Sequence, residues 1–177
     1  MTLHMLLFLS SVIFSSVQTP APGTLKFTAP QGWQSREPSS TMRVAEFVLP
    51  ARDGTAANAE LVIYYFGGSG GSVDANIERW LGQMQQPDAR ATADVAVRDT
   101  RTINGLKVSL LDVTGTYVAE VRPGATEKHN SPGYRMRTAV VETARGPYYV
   151  KLVGPAATVA AWNASVDQFL GSLSFGQ

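Results

Sequence analysis

Residues 93–121 read ADVAVRDTRTI-NG-LKVSLLDVTGTYVAEV, with Asn104-Gly105 set between two runs rich in β-branched residues. Both central residues of a type I′ turn need a left-handed backbone, which Asn and Gly tolerate, and the twist of that turn matches the strands it joins. The stretch therefore predicts an antiparallel hairpin. Strands joined by so short a connection cannot be the parallel neighbours of a βαβ fold.

Working outward, Tyr134–Thr143 (YRMRTAVVET) and Tyr148–Gly154 (YYVKLVG) form a second predicted hairpin, separated from the first by a charged loop over Arg122–Gly133. On the N-terminal side, Glu60–Phe66 (ELVIYYF) is apolar on both faces, so it predicts a strand covered above and below. Met42–Leu49 reads as another strand, and Leu25–Ala29 as a short one before the turn Pro30-Gln31-Gly32. Between them, Val73, Ile77, Trp80, Leu81 and Met84 fall on one helical stripe, capped by Ser72 and ended by Pro87. Asp74 in its first turn faces the positive end of the helix dipole. A second stripe, Val159, Trp162, Val166, Phe169 and Leu170, predicts a C-terminal helix beginning after Pro155. Strands, helix, two hairpins and a helix make an α+β domain with a central antiparallel sheet. Trp80 and Trp162 lie on the apolar stripes, which assigns them to the core.

The chain has 177 residues, 44% of them apolar and 16% charged, enough for one domain with a real core. A net charge of +1 supplies no field to draw it to nucleic acid. Met5–Phe14 is an apolar run of signal-peptide length, too short to span a bilayer, and a Pro-rich linker follows to about Gly23. Residues 1–23 are thus expected to be signal peptide and linker, and 24–177 the domain, with no stable membrane span after cleavage. An exported location, periplasmic or secreted, is the expectation. The competing reading is a buried N-terminal helix of a cytosolic protein. With no cysteine in the chain, disulfides and a lipid anchor on cysteine are both excluded.

Three segments carry a resemblance: Leu25–Trp33 (LKFTAPQGW), Val73–Met84 (VDANIERWLGQM) and the closing Phe169-Leu170-Gly171-Ser172-Leu173. They resemble an uncharacterised group of exported bacterial proteins and, more distantly, the PsbP-like domains. That resemblance implies a central antiparallel sheet sandwiched between helices. It also implies a non-catalytic binding or scaffolding domain of the cell envelope, one that docks on a protein partner; no cofactor is expected.

One motif points elsewhere. Gly67-Gly68-Ser69-Gly70-Gly71 matches the G-x-S-x-G nucleophile elbow, between a strand and a helix as an elbow requires. The alternative function is therefore a small serine hydrolase with Ser69 as nucleophile, His129 as base and Asp112 as orienting acid. Against it stand the antiparallel hairpins, the lack of an HGGG-type segment, and the ease with which a run of glycine and serine meets the pattern by chance. The same loop could hold a phosphate at the helix N-terminus, but it lacks the Lys-Ser/Thr of a P-loop, and Asp74 and Glu78 would repel an anion. One histidine outside the leader and no cysteine argue against a metal site. Arg122, Lys128, Arg135 and Arg137 are candidates for a small basic ligand-binding cluster, or else a solvated face. Asn163-Ala164-Ser165 matches a glycosylation sequon but falls on the predicted helix.

Overall fold

The computed structural model describes residues 23–52, 54 and 57–176; the leader reading, on 1–22, lies outside the described residues. The body of the molecule is an eight-stranded antiparallel sheet. In chain order the strands are β1 (Leu25–Lys26), β2 (Gln34–Arg36), β3 (Arg43–Leu49), β4 (Ala59–Tyr65), β5 (Met84–Gln85), β6 (Val97–Ile103), β7 (Leu106–Tyr117), β8 (Ser131–Val141), β9 (Tyr148–Pro155) and β10 (Ser174–Phe175). Across the sheet the order is β2-β3-β4-β9-β8-β7-β5, with β6 also paired to β7; β1 and β10 form a separate two-stranded ribbon.

The Asn-Gly turn closes the β6–β7 hairpin as expected, with positive φ at both Asn104 (48°) and Gly105 (82°). Asn104 does more than turn the chain. Its side-chain amide donates to the carbonyls of Gly171 (3.0 Å) and Leu173 (2.8 Å), tying the hairpin tip to the end of the last helix.

Helix α1 (Val73–Leu81) packs on one face of the sheet through Ile77, Trp80 and Leu81, against Leu111, Val113, Met136 and Tyr149. A short helix, α2 (Thr92–Val95), precedes β6. The other face is covered by α3 (Ala156–Ala161) and α4 (Asn163–Gly171); their Val159, Val166 and Phe169, with Trp162 between the helices, meet Leu61, Val108, Val150 and Leu152. Alternation along each central strand feeds the two cores in turn, which is the reason ELVIYYF is apolar throughout.

Four expectations change. The first helical stripe stops at Leu81, where Gly82 forms the cap, and Met84 continues as a strand paired with Tyr117. The C-terminal stripe is two helices, because the chain bends at Trp162, whose φ and ψ of −108° and 6° lie off the helical values. β8 begins at Ser131, inside the stretch read as loop. Finally, the sandwich between helices is only partly realised. A nine-residue α1 cannot cover so wide a sheet, and part of its face is polar instead.

Candidate functional site

The proposed triad is not assembled. Ser69 sits beside the β8–β9 turn, where an ideal Cβ on neighbouring Gly68 would stand 3.3 Å from the Arg145 carbonyl. Its hydroxyl donates to the Phe66 carbonyl at 2.7 Å. His129 lies at the far end of β8, its N–H bonded to the Ala119 carbonyl and its ring 5.1 Å from that of Tyr117. The eleven residues of β8 separate the two ends, roughly 30 Å at the rise of a strand. Asp112 is mid-strand, paired in register with Arg137.

The glycine loop has a packing role that accounts for its composition. Tyr149 is fully buried and donates its hydroxyl to the Gly71 carbonyl at 3.0 Å, while Asn76 donates to the Gly70 carbonyl at 2.9 Å. A Cβ at Gly70 would come within 2.5 Å of the Tyr149 ring, so only glycine fits.

Asp112 does belong to a site, on the face of α3 and α4. Its carboxylate takes both ends of the Arg135 guanidinium, at 2.7 and 2.6 Å, a bidentate pair. Arg137 approaches Asp112 at 3.4 Å and Asp167 at 2.6 Å, and both guanidiniums donate to the Asn163 side-chain oxygen at 3.2 Å. The bonds that Arg135 donates to Asp112 hold its pKa above the ordinary value against the opposing effect of burial. Of the four basic candidates, Arg135 and Arg137 are thus drawn into ion pairs beneath α4. Arg122 and Lys128 stay on the exposed loop before β8, so the expected single cluster divides in two.

Next to these ion pairs is a cavity of about 120 Å³. Leu61, Leu110, Val150 and Leu152 of the sheet floor it, and Val166, Phe169 and Leu170 of α4 roof it. Its mouth is polar: Asp99, Arg101 and Arg137, with the Asp99–Arg101 pair closed at 2.7 Å. A wider groove along α3 shares Asp112 and Val97 with the mouth, and Val97 is 66% exposed. Apolar depth with a few polar groups at the entrance is the general form of a small-molecule site.

The opposite face holds a polar group that the sequence reading passed over. Lys151, centred in β9, donates to Gln83 Oε1 at 2.6 Å and to Tyr117 Oη at 2.9 Å. Burial, with Arg79 and Arg43 adding to it, brings its pKa down to about 8. Burial likewise pushes Tyr117 up to about 12. Further along this face Glu46 is buried; burial pushes its carboxyl up, but bonds from the Ser39 N–H (2.6 Å) and hydroxyl (2.9 Å) and from Arg43 (3.1 Å) outweigh that and hold it below its ordinary value. The signal for Lys151 was present in the sequence: a lone cation inside YYVKLVG, on the same side of the strand as Tyr149 and Val153.

With this geometry in view, the likenesses to known proteins concern the fold. No protein-family model matches the chain, and no curated protein matches it in sequence. Among solved structures, LpqN of Mycobacterium tuberculosis, described as involved in cell envelope biogenesis, superposes with a TM-score of 0.51 at 11% identity, over 91% of this chain and 88% of that one. The chain shares its fold with LpqN. Two further likenesses are to a Pseudomonas aeruginosa protein of unknown function (TM-score 0.47, 20% identity, 87% of this chain and 97% of that one) and to the cyanobacterial PsbP of Synechocystis (0.47, 14%, 95% and 99%). What LpqN offers here is the architecture, since fold does not carry function.

Proposed function

We propose that the chain is a non-catalytic, exported binding domain of the cell envelope, and that the cavity beneath α4 receives the apolar group of a small amphiphilic ligand. The cavity carries this reading. An apolar cavity of ~150 Å³ stays dry and takes up benzene, so this one suits a single ring or a branched alkyl group. The ligand's polar remainder stays at the mouth, among Asp99, Arg101 and Arg137. Charges of both signs there favour a neutral or zwitterionic head over a strongly charged one.

Export rests on the leader-like run Met5–Phe14. LpqN, which has this fold, is described as involved in cell envelope biogenesis, and that agrees with the assignment. Expression with the native N-terminus in a bacterial host, followed by mass spectrometry of the product, checks it. Cleavage near Ala21–Gly23 is expected; an intact N-terminus in the cytosol contradicts export.

For the site, thermal denaturation of the domain with increasing toluene or a short-chain alcohol is the test. A rise in Tm that saturates, and that Val166→Phe or Leu170→Phe abolishes by filling the cavity, is expected. No rise with any apolar probe contradicts the reading. Binding that requires a folded protein partner, and no small molecule, would move the cavity to a different role, as the socket for an apolar side chain.

A further inference from the structure

We propose that Lys151 and Thr138, with Tyr117 and Gln83 beside them, form a second recognition site, for the carboxylate of a small organic acid, on the α1 face of the sheet. The side chains of Lys151 and Thr138 stand on the face opposite α4, although Thr138 also borders the cavity beneath that helix.

The first observation is a cation without a counter-ion. Lys151 is bonded to Gln83 and Tyr117, both neutral acceptors, and its ammonium has a third N–H to give. Among the described residues no carboxylate pairs with it. Glu60, on the adjacent strand, is taken by Arg36 at 3.7 Å, and Glu46 by Arg43 at 3.1 Å. Arg79, from α1, donates to the neutral oxygen of Asn76 at 2.6 Å. The charged groups around Lys151 are therefore Arg79, Arg43, Glu46 and Glu60, beside the hydroxyls of Tyr117 and Tyr64, and of the two other cations Arg79 is bonded to a neutral group. A half-buried ammonium in such a field is costly unless an anion joins it.

The second observation is independent of charge. Thr138 Oγ1 is fully buried with no hydrogen-bond partner among the described residues. Thr138 is the register partner of Lys151 across β8 and β9, so the two side chains stand on the same face, about 5 Å apart at Cβ. An unsatisfied buried hydroxyl costs on the order of 1–3 kcal/mol, and such groups in native structures point to something that completes them. Lys151 and Thr138 thus offer two unused donors on one face of neighbouring strands. A carboxylate, planar with two acceptor oxygens, matches that pair; it would neutralise the ammonium and satisfy the hydroxyl together.

The surroundings suit an organic acid. Tyr117, pushed up to about 12, stays neutral and stacks on Tyr134 with rings 6.4 Å apart and 8° from parallel. These rings give an apolar flank to the carbon skeleton that carries the carboxylate.

The test follows the lysine side-chain NMR signal of Lys151 against pH, in chloride and then in acetate or benzoate at equal ionic strength. Because the anion binds the protonated amine, its midpoint must rise, by about one unit when the free acid is ten times its Kd. Thr138→Val, close in shape, is expected to keep the fold and reduce the rise; Lys151→Met removes the signal itself, and confirms its assignment. Val166→Phe on the other face should leave the rise unchanged, so failure here is distinct from failure of the α4 cavity. A midpoint that is the same in carboxylate and chloride overturns the proposal. So does a rise that Thr138→Val leaves intact, or one that inorganic phosphate produces equally.

Discussion

The two faces of the central sheet solve burial in different ways. Beneath α3 and α4 the surface is apolar, and the charges at its edge are paired: Arg135 and Arg137 share Asp112, and Asp167 completes the set. Beneath α1 a row of register partners crosses from Glu46 through Val62, Lys151 and Thr138 to Leu111, with two polar residues adjacent at its middle. One end of the row is satisfied, with Glu46 held by Ser39 and Arg43, and the middle is not. The lesson is that covering a face with helix and satisfying it are separate tasks. The α4 face leaves an apolar space; the α1 face leaves unused donors.

The largest effect that sharpens this contrast is expected at Phe169, fully buried in the roof of the cavity. Phe169→Ala should cost about 3–5 kcal/mol in urea unfolding, and it should widen the set of apolar probes that bind. Asp112→Ala comes next. It leaves two half-buried guanidiniums without their shared carboxylate, and a loss of about 1–3 kcal/mol is expected. Glu60→Gln on the other face serves as its control, because the Arg36–Glu60 pair is 58% and 45% exposed. There the change should stay within about 0.5 kcal/mol.

A pH profile separates the faces more finely. The Lys151 pKa is lowered to about 8 in the folded state, so above that pH the folded chain binds fewer protons than the unfolded one. Stability must then rise with pH, on the order of 1 kcal/mol per unit, between pH 8 and 10. Above about 10 the raised Tyr117 acts in the opposite sense, since its folded form keeps a proton that the unfolded chain has lost. Lys151→Met should flatten the rise between 8 and 10, while Asp112→Ala should leave it in place. At the acid end, Glu46 keeps its pKa below 4.5 when folded, so its contribution is present above that value and is lost as pH falls through the folded pKa. The smallest effect is at Ser69, exposed and far from His129. Ser69→Ala should change stability by less than about 0.5 kcal/mol, and neither wild type nor variant should react with a fluorophosphonate.

Much of the fold is legible in the sequence because it rests on strong local signals. Asn104-Gly105 specifies a turn that few other pairs accept, ELVIYYF needs two covered faces, and Ser72 does cap α1. Boundaries set by tertiary pairing are not legible: Met84 continues the helical stripe in sequence, yet bonds to β7 draw it into the sheet. The site was less visible still. The sequence offers Asp112 to a nucleophile it never meets, and shows its true partners, Arg135 and Arg137, only as part of a basic patch. Their pairing depends on the register of β7 against β8, which two residues of slippage would undo. Lys151 stood in plain view, but alternation alone does not distinguish a half-buried lysine from one at the solvent.

One methyl-resolved NMR titration reads both faces together. Val166, Leu170 and Leu152 report the cavity beneath α4, and Val62, Val153 and Met136 report the surface around Lys151. Toluene is expected to shift the first set and leave the second at rest. Toluene that leaves Val166, Leu170 and Leu152 unmoved up to its solubility limit would contradict the assignment of the α4 cavity as a binding site.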